Sequence, residues 1–323
     1  MRHPLLFKRL MFNSLLTLIP MVALIGIVLW SLMERERQAT LEALKFGEAQ
    51  IALSVNGEIA RVRAVGDVLA RNPVLNSDAP IEDIRTIVER YMPALPGVWV
   101  VVGSPEGYQI FNQRAQPGEP LPMRNASLQK AQATAFAENR AVIAGMDMTP
   151  FSGVPAATIT WPIFKDGKPY RALTLAMPAS LFANVGTNDA LPSNWLTGVV
   201  DERQRFVMRS LFNESHVGKS PAIGWREAMN HSPDGSSLTF RSLENHPMLS
   251  YWKRDPETGW TVGVSTRSDL LFLPYRNYAI TVAAVSIASL VMSAVVSALL
   301  ARRVSNRTPG RSACSIGCDR RSS

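Results

Sequence analysis

Two stretches lack charge for longer than a soluble fold ordinarily tolerates, and the rest of the chain is arranged around them. Residues 10–33 and 277–301 contain no Asp, Glu, Lys or Arg over 24 and 25 positions. A helix needs about 20 apolar residues to cross the hydrocarbon of a bilayer. Trp30, Tyr275 and Tyr278 lie near the outer ends of these runs, where aromatic rings favour the interface. Pro20 is compatible with a membrane helix. The pattern predicts two membrane helices.

Between them the polar pattern returns. Over 34–71, Leu41, Leu44, Ile51, Val55, Val62, Val65 and Leu69 follow a heptad seam that Glu48 and Glu58 interrupt. Such a seam serves a dimeric coiled coil that carries a signal to the membrane. It also serves an amphipathic helix packed on its own domain, the reading taken for the middle and end. Asn72-Pro73 ends the helix. A second helix is expected from Asp78, as N-cap, to Tyr91.

The period then changes from helical to two. Residues 156–177 form two β-prone runs around Asp166-Gly167, a strong hairpin signal. In the second run Leu173, Leu175 and Met177 share one face, and the smaller Ala172, Thr174 and Ala176 share the other. Residues 247–266 repeat the strand-turn-strand pattern. Each hairpin is preceded by a similar one, at 98–111 and at 195–208. A shift of 98 residues lays Val101-Val102 on Val199-Val200 and Tyr108 on Phe206. One plan, hairpin then helix then hairpin, is used twice. The helices are expected at 126–139 and 222–230, with a short strand at 141–144 and a loop over 114–124. Asp201, Glu202 and Asp234 are expected in turns.

The fold class expected is therefore α+β: two tandem antiparallel sheets on a long N-terminal helix, flanked by membrane helices. The segments are 1–9 (cytoplasmic), 10–33 (membrane), 34–72 (long helix), 73–183 (membrane-distal unit) and 184–193 (linker). Then come 194–276 (membrane-proximal unit), 277–301 (membrane) and 302–323 (a cytoplasmic tail, rich in Arg, Ser and Gly, expected to be disordered).

Charge sets the orientation. The net charge is +8, from 34 basic and 26 acidic residues. Residues 1–33 hold Arg2, Lys8 and Arg9 and no acid. Residues 277–323 hold six arginines and one acid, Asp319. Residues 34–276 are left with 25 of each sign. The excess is thus a positive-inside signature and not a nucleic-acid patch, and it puts both termini in the cytoplasm. The first run is too long for a cleaved signal peptide, and no small-residue cleavage site follows it. The two cysteines, Cys314 and Cys318, lie in the tail, so residues 34–276 need no disulfide.

Catalytic patterns are missing from the sequence. It contains no phosphate loop, no His-Glu-x-x-His, no nucleophile elbow and no zinc-ligand spacing. His216, His231 and His246 recur every 15 residues, a spacing that does not gather them on one helix. Neither catalytic residues nor a metal or cofactor are expected.

The chain resembles the double-Cache, or tandem PAS-like, sensor region of bacterial transmembrane receptors. The nearest likeness is to the N-terminal part of alphaproteobacterial sensor histidine kinases. The residues that carry it are 107–122, 160–167, 195–201, 212–218 and 258–264. The resemblance implies an inner-membrane sensor with residues 34–276 in the periplasm. It also implies a small ligand in the distal unit, and a homodimer or a mixed dimer with a full-length relative, besides membrane lipid. Ala301-Arg-Arg-Val-Ser-Asn-Arg begins as a receptor would on entering its transmitter, but no kinase motif follows. The expectation is a receptor fragment without its output domain, ending by truncation or frameshift, with no kinase activity of its own. The Arg-x-Trp-Tyr run of amino-acid-binding relatives is absent. Candidate ligand-binding residues are Tyr108, Arg114, Asp147, Trp161 and Arg171, polar or aromatic groups near distal strands. The plainer reading makes Trp161 core, Tyr108 a strand-end residue and the charges solvated. The alternative function is a membrane-anchored structural or interaction protein that binds no small molecule.

Overall fold

The computed structural model describes residues 3–306 apart from 184, 186–190, 212 and 239. The chain divides into a folded unit, Ala39–Asp269, and a second unit made of the flanks Met1–Gln38 and Leu270–Ser323.

Helix α1 runs unbroken over His3–Ala70. From residue 39 onward it is an amphipathic helix of its own domain. Leu41, Leu44, Ile51, Val55, Ile59, Val62 and Leu69 are buried, and most join one core with the sheets. Glu58 pairs with Arg61 on the same helix. Asn72 accepts from the Val74 N–H at 3.1 Å, and Pro73 opens a short 3-10 turn, Pro73–Asn76. Helix α2 (Ile81–Tyr91) starts from Pro80 without a side-chain cap, so Asp78 is not its N-cap. The Asp78 carboxylate instead accepts from Lys165 Nζ at 2.6 Å and the Tyr170 hydroxyl at 2.9 Å. A charged partner outcompetes a neutral backbone N–H for a carboxylate.

The first sheet contains β1 (Trp99–Gly103), β2 (Gln109–Asn112), β3 (Val142–Met148), β4 (Pro155–Lys165) and β5 (Lys168–Pro178). Helix α3 (Ala126–Glu138) lies between β2 and β3 in sequence. The strand order is β2-β1-β5-β4-β3, antiparallel throughout. Asp166 and Gly167 both adopt positive φ, 50° and 75°, as a tight hairpin turn of this kind requires.

After α4 (Ala179–Ala183) the plan repeats. The second sheet contains β6 (Leu196–Val200), β7 (Phe206–Arg209), β8 (Asp234–Ser237), β9 (Met248–Arg254) and β10 (Thr261–Arg267). Helices α5 (Asn213–His216) and α6 (Ile223–His231) come between β7 and β8. Its order, β7-β6-β10-β9-β8, matches that of the first sheet. Asp234, expected in a turn, opens the edge strand β8. Asp-Gly-Ser-Ser has little β-propensity, but pairing with Lys253 to Ser250 of β9 overrides it.

In the flanks, Leu16, Ile19, Leu24, Ile27 and Trp30 of α1 are exposed. Helix α7 (Ser268–Asn306) follows β10 directly. Among the described residues, its Ser268–Leu299 is the helix long and apolar enough to cross a membrane, with mean hydropathy 2.3 and its most apolar 18-residue window unburied.

One side chain on α1 breaks the burial rule. Glu48 is 4% exposed, and burial pushes its pKa up to about 7, against a weaker downward pull from Lys253. The unfolded carboxyl titrates near 4.5. Between those values the folded state binds more protons than the unfolded one, so stability declines as pH rises through that window. The melting temperature is expected to fall between about pH 5 and pH 8. Glu48→Gln should flatten that slope and raise the melting temperature at the upper end, as calorimetry across pH would show.

Candidate ligand-binding site

The first sheet has two unlike faces, and β5 shows why. Leu173, Leu175 and Met177 pack with Val100, Val102, Ile159 and α1 residues in the main core. Ala172, Thr174 and Ala176 point the other way, where short side chains leave room. Helix α3 packs on β3 and β4 and covers that second face. Asn125 caps it, accepting from the Leu128 N–H at 2.9 Å. Between helix and sheet lies a cavity lined by Trp99, Val101, Gln109, Asn112, Arg124, Leu128, Thr158, Thr174, Ala176 and the loop 149–152.

Arg124 dominates its electrostatics. It is 3% exposed, and burial lowers its pKa to about 10. The guanidinium lies over Gly103 of β1, where a Cβ would come within 2.7 Å of Nε. Glycine is needed there to admit it. Nη2 donates to the Ala172 carbonyl at 3.2 Å. Nε and Nη1 are buried with no hydrogen-bond partner, and the buried Thr158 hydroxyl also has none. An unpaired buried cation is costly, so a site that keeps one invites an anion.

The second sheet has a matching cavity, of about 40 Å³, lined by Thr197, Phe206, Arg209, Trp225, Phe240 and Ser265 among others. Its buried cation is already matched: Arg209 donates to Glu244 at 2.8 Å and to the Leu211 carbonyl at 2.7 Å. Trp225 lies so close to β10 that a Cβ on Gly263 would sit 2.1 Å from its ring. The indole fills the space directly over Gly263.

The five sequence candidates scatter. Arg114 stacks 3.6 Å from the centre of the Trp99 ring and so touches the cavity wall. Tyr108 is exposed, with its backbone bridged to Met123. Trp161 lies on the opposite face, in the core, donating from Nε1 to Asp67 of α1 at 2.6 Å. Arg171 is also on that face, donating to the Val74 carbonyl at 3.3 Å. Asp147 accepts from Arg203 at 3.2 Å and lies 3.8 Å from Arg205, both in the second sheet's first hairpin. Arg124 was passed over because it ends a proline- and glycine-rich loop. The available signal was Gly103, a glycine closing a Val-Val-Val strand, where a close approach is expected.

Asp147 belongs to a clasp between the sheets. Asp201, 1% exposed at the end of β6, accepts from the Met146 N–H at 2.9 Å across the junction. It also accepts from the N–H groups of Arg203 and Arg205 at 3.0 and 2.8 Å. Gly145 of β3 makes room for it, since a Cβ there would be 2.4 Å from Oδ2. β3 bulges between Ala144 and Asp147, and the cavity loop begins two residues later at Thr149. Among the described residues no cluster of three or more His, Cys, Asp or Glu could hold a metal.

No protein-family model matches the sequence, and no curated protein matches it in sequence. Solved structures do match in fold. The ligand-binding domain of the Campylobacter jejuni chemoreceptor Tlp3, in complex with L-valine, is 16% identical. That match has a TM-score of 0.52 and covers 75% of this chain and 97% of that one. The extracellular domain of the histidine kinase rpHK1S-Z16, described as putative in its own name, is 15% identical, with a TM-score of 0.53 over 73% and 97%. The ligand-binding domain of Mlp24, with asparagine, is 12% identical, with a TM-score of 0.51 over 77% and 99%. The chain thus has the fold of tandem PAS-like, double-Cache sensor domains. The first and third of these neighbours are ligand-binding domains by name, and the second is an extracellular domain.

Proposed function

We propose that the chain is the sensor part of a two-pass inner-membrane receptor, with residues 34–276 in the periplasm and both termini in the cytoplasm. It binds a small ligand in the cavity of the first, membrane-distal sheet and shifts α7 in response. The observation that carries this reading is Arg124, a buried cation with two unpartnered N–H-bearing atoms at a cavity wall. The likeness to amino-acid-binding sensor domains supports it at the level of fold.

The signal route follows from connectivity. The cavity loop 149–152 leads back into β3, β3 is clasped to the β6–β7 hairpin through Asp201, and β6 pairs with β10. α7 begins at the residue after β10. A ligand acts along this route only by binding one arrangement more tightly than the other.

Reporter fusions test the topology. A cytoplasm-dependent reporter is expected to work before Met1 and after Ser323, and a periplasm-dependent one when inserted near Asn188. Activity of the periplasmic reporter at either terminus would overturn the two-pass arrangement.

A further inference from the structure

We infer that the ligand of the first-sheet cavity is a short carboxylate that bears no ammonium group: a small organic acid rather than an amino acid. This rests on the reading of that cavity as a ligand site and names the class it takes.

Three observations carry it. First, the buried polar side-chain atoms at the cavity wall that lack a protein partner can all donate. Arg124 offers Nε and Nη1, and Thr158 offers a hydroxyl, all without protein partners. Gln109 adds its amide nitrogen, because its carbonyl oxygen already accepts from Asn112 at 2.9 Å. A guanidinium presents N–H groups in a planar fork that matches the two oxygens of a carboxylate.

Second, no carboxylate lies among the described residues lining the cavity. An α-amino acid would bring a buried ammonium with three donors and no acceptor. Without an anionic partner that charge is expensive to desolvate. The nearby acid, Asp147, is held by Arg203 and Arg205 in the clasp. With one cation and no anion, the site balances a net charge of minus one.

Third, the space is small. The cavity measures about 20 Å³ against Trp99, Val101, Leu128, Phe151 and Ala176. That is room for few atoms. A chain of about two to four carbons, its tail against the apolar wall and its oxygens on Arg124, fits both size and lining.

The test uses the full chain in detergent, in carboxylate-free buffer, with binding read by thermal shift and titration calorimetry. The probes are acetate, propionate, propionamide and alanine. Propionate or acetate is expected to bind at least tenfold more tightly than propionamide or alanine. Arg124→Met should weaken propionate at least tenfold, while Arg124→Lys retains part of the affinity. Without ligand, Arg124→Met is expected to melt no lower than wild type, because it removes an unpaired buried charge. Ala176→Leu, which fills the cavity, should abolish binding. Equal or tighter binding of alanine or propionamide overturns the ligand class. If that binding is still lost in Ala176→Leu, the cavity reading survives. Binding of any probe that neither Arg124→Met nor Ala176→Leu weakens removes the cavity reading as well. No shift with either acid also overturns the class.

Discussion

Gly66→Ala is expected to destabilise the protein by about 2 kcal/mol or more. This reverses the usual sign. A mid-helix glycine replaced by alanine ordinarily gains about 1 kcal/mol from helix propensity. Here α1 meets β4 at that position, and a Cβ on Gly66 would lie 2.2 Å from the Trp161 ring. The indole cannot back away easily. It is 4% exposed, packed in the main core and tied to Asp67 by its Nε1–H. Overpacking of this kind costs about 1–3 kcal/mol and can cost more. If the clash is the cause, Trp161→Phe should recover part of the loss in the Gly66→Ala background while being destabilising by itself. Denaturant melts of the four members of that cycle measure the coupling. Additive effects would show that Trp161 is not what Gly66 accommodates.

Asp201→Ala is expected to cost more, about 3–5 kcal/mol. The substitution leaves the N–H groups of Met146, Arg203 and Arg205 without their acceptor, and the two part-exposed arginine side chains keep only Asp147 and Glu202 as counter-charges. Each orphaned buried donor costs about 1–3 kcal/mol. Asp201→Asn keeps an acceptor oxygen of the same shape and should lose distinctly less. Since Asp201 joins the two sheets, Asp201→Ala should also split the unfolding transition, with the second sheet melting first. A single cooperative transition with an unchanged midpoint would contradict the clasp.

The sequence carried much of this architecture. Asp166-Gly167 fixed one hairpin, and the offset of 98 residues foretold two sheets of one plan. The heptad seam of α1 proved to be a packing face, as read for its middle and end, with Glu48 buried in the same helix. Trp161 shows where local reading stops. Pairing counted outward from the turn would set Trp161 opposite Ala172, on the cavity face. A register shift between Ile163 and Phe164 sets it opposite Leu173 instead, on the α1 face. One inserted residue flips every side chain beyond it, and nothing in Trp-Pro-Ile-Phe announces the shift. Arg171 was legible, since it alternates with Leu173 and Leu175. Asp147 was not, because its partners come from another hairpin 56 residues on. Arg124 needed tertiary information too: its role depends on Gly103 of β1 and the Ala172 carbonyl of β5, which only the folded sheet brings beside it.

The surface that a ligand protects distinguishes a site in the first sheet from one in the second. Hydrogen exchange of the full chain, read by mass spectrometry with and without propionate, separates the two cavities directly. Slowed exchange is predicted in 99–112, 124–128, 149–158 and 172–176, with none of it in Arg124→Met. Protection confined to 196–225 and 240–248, around the second sheet's cavity, would contradict the claim that the first sheet holds the site.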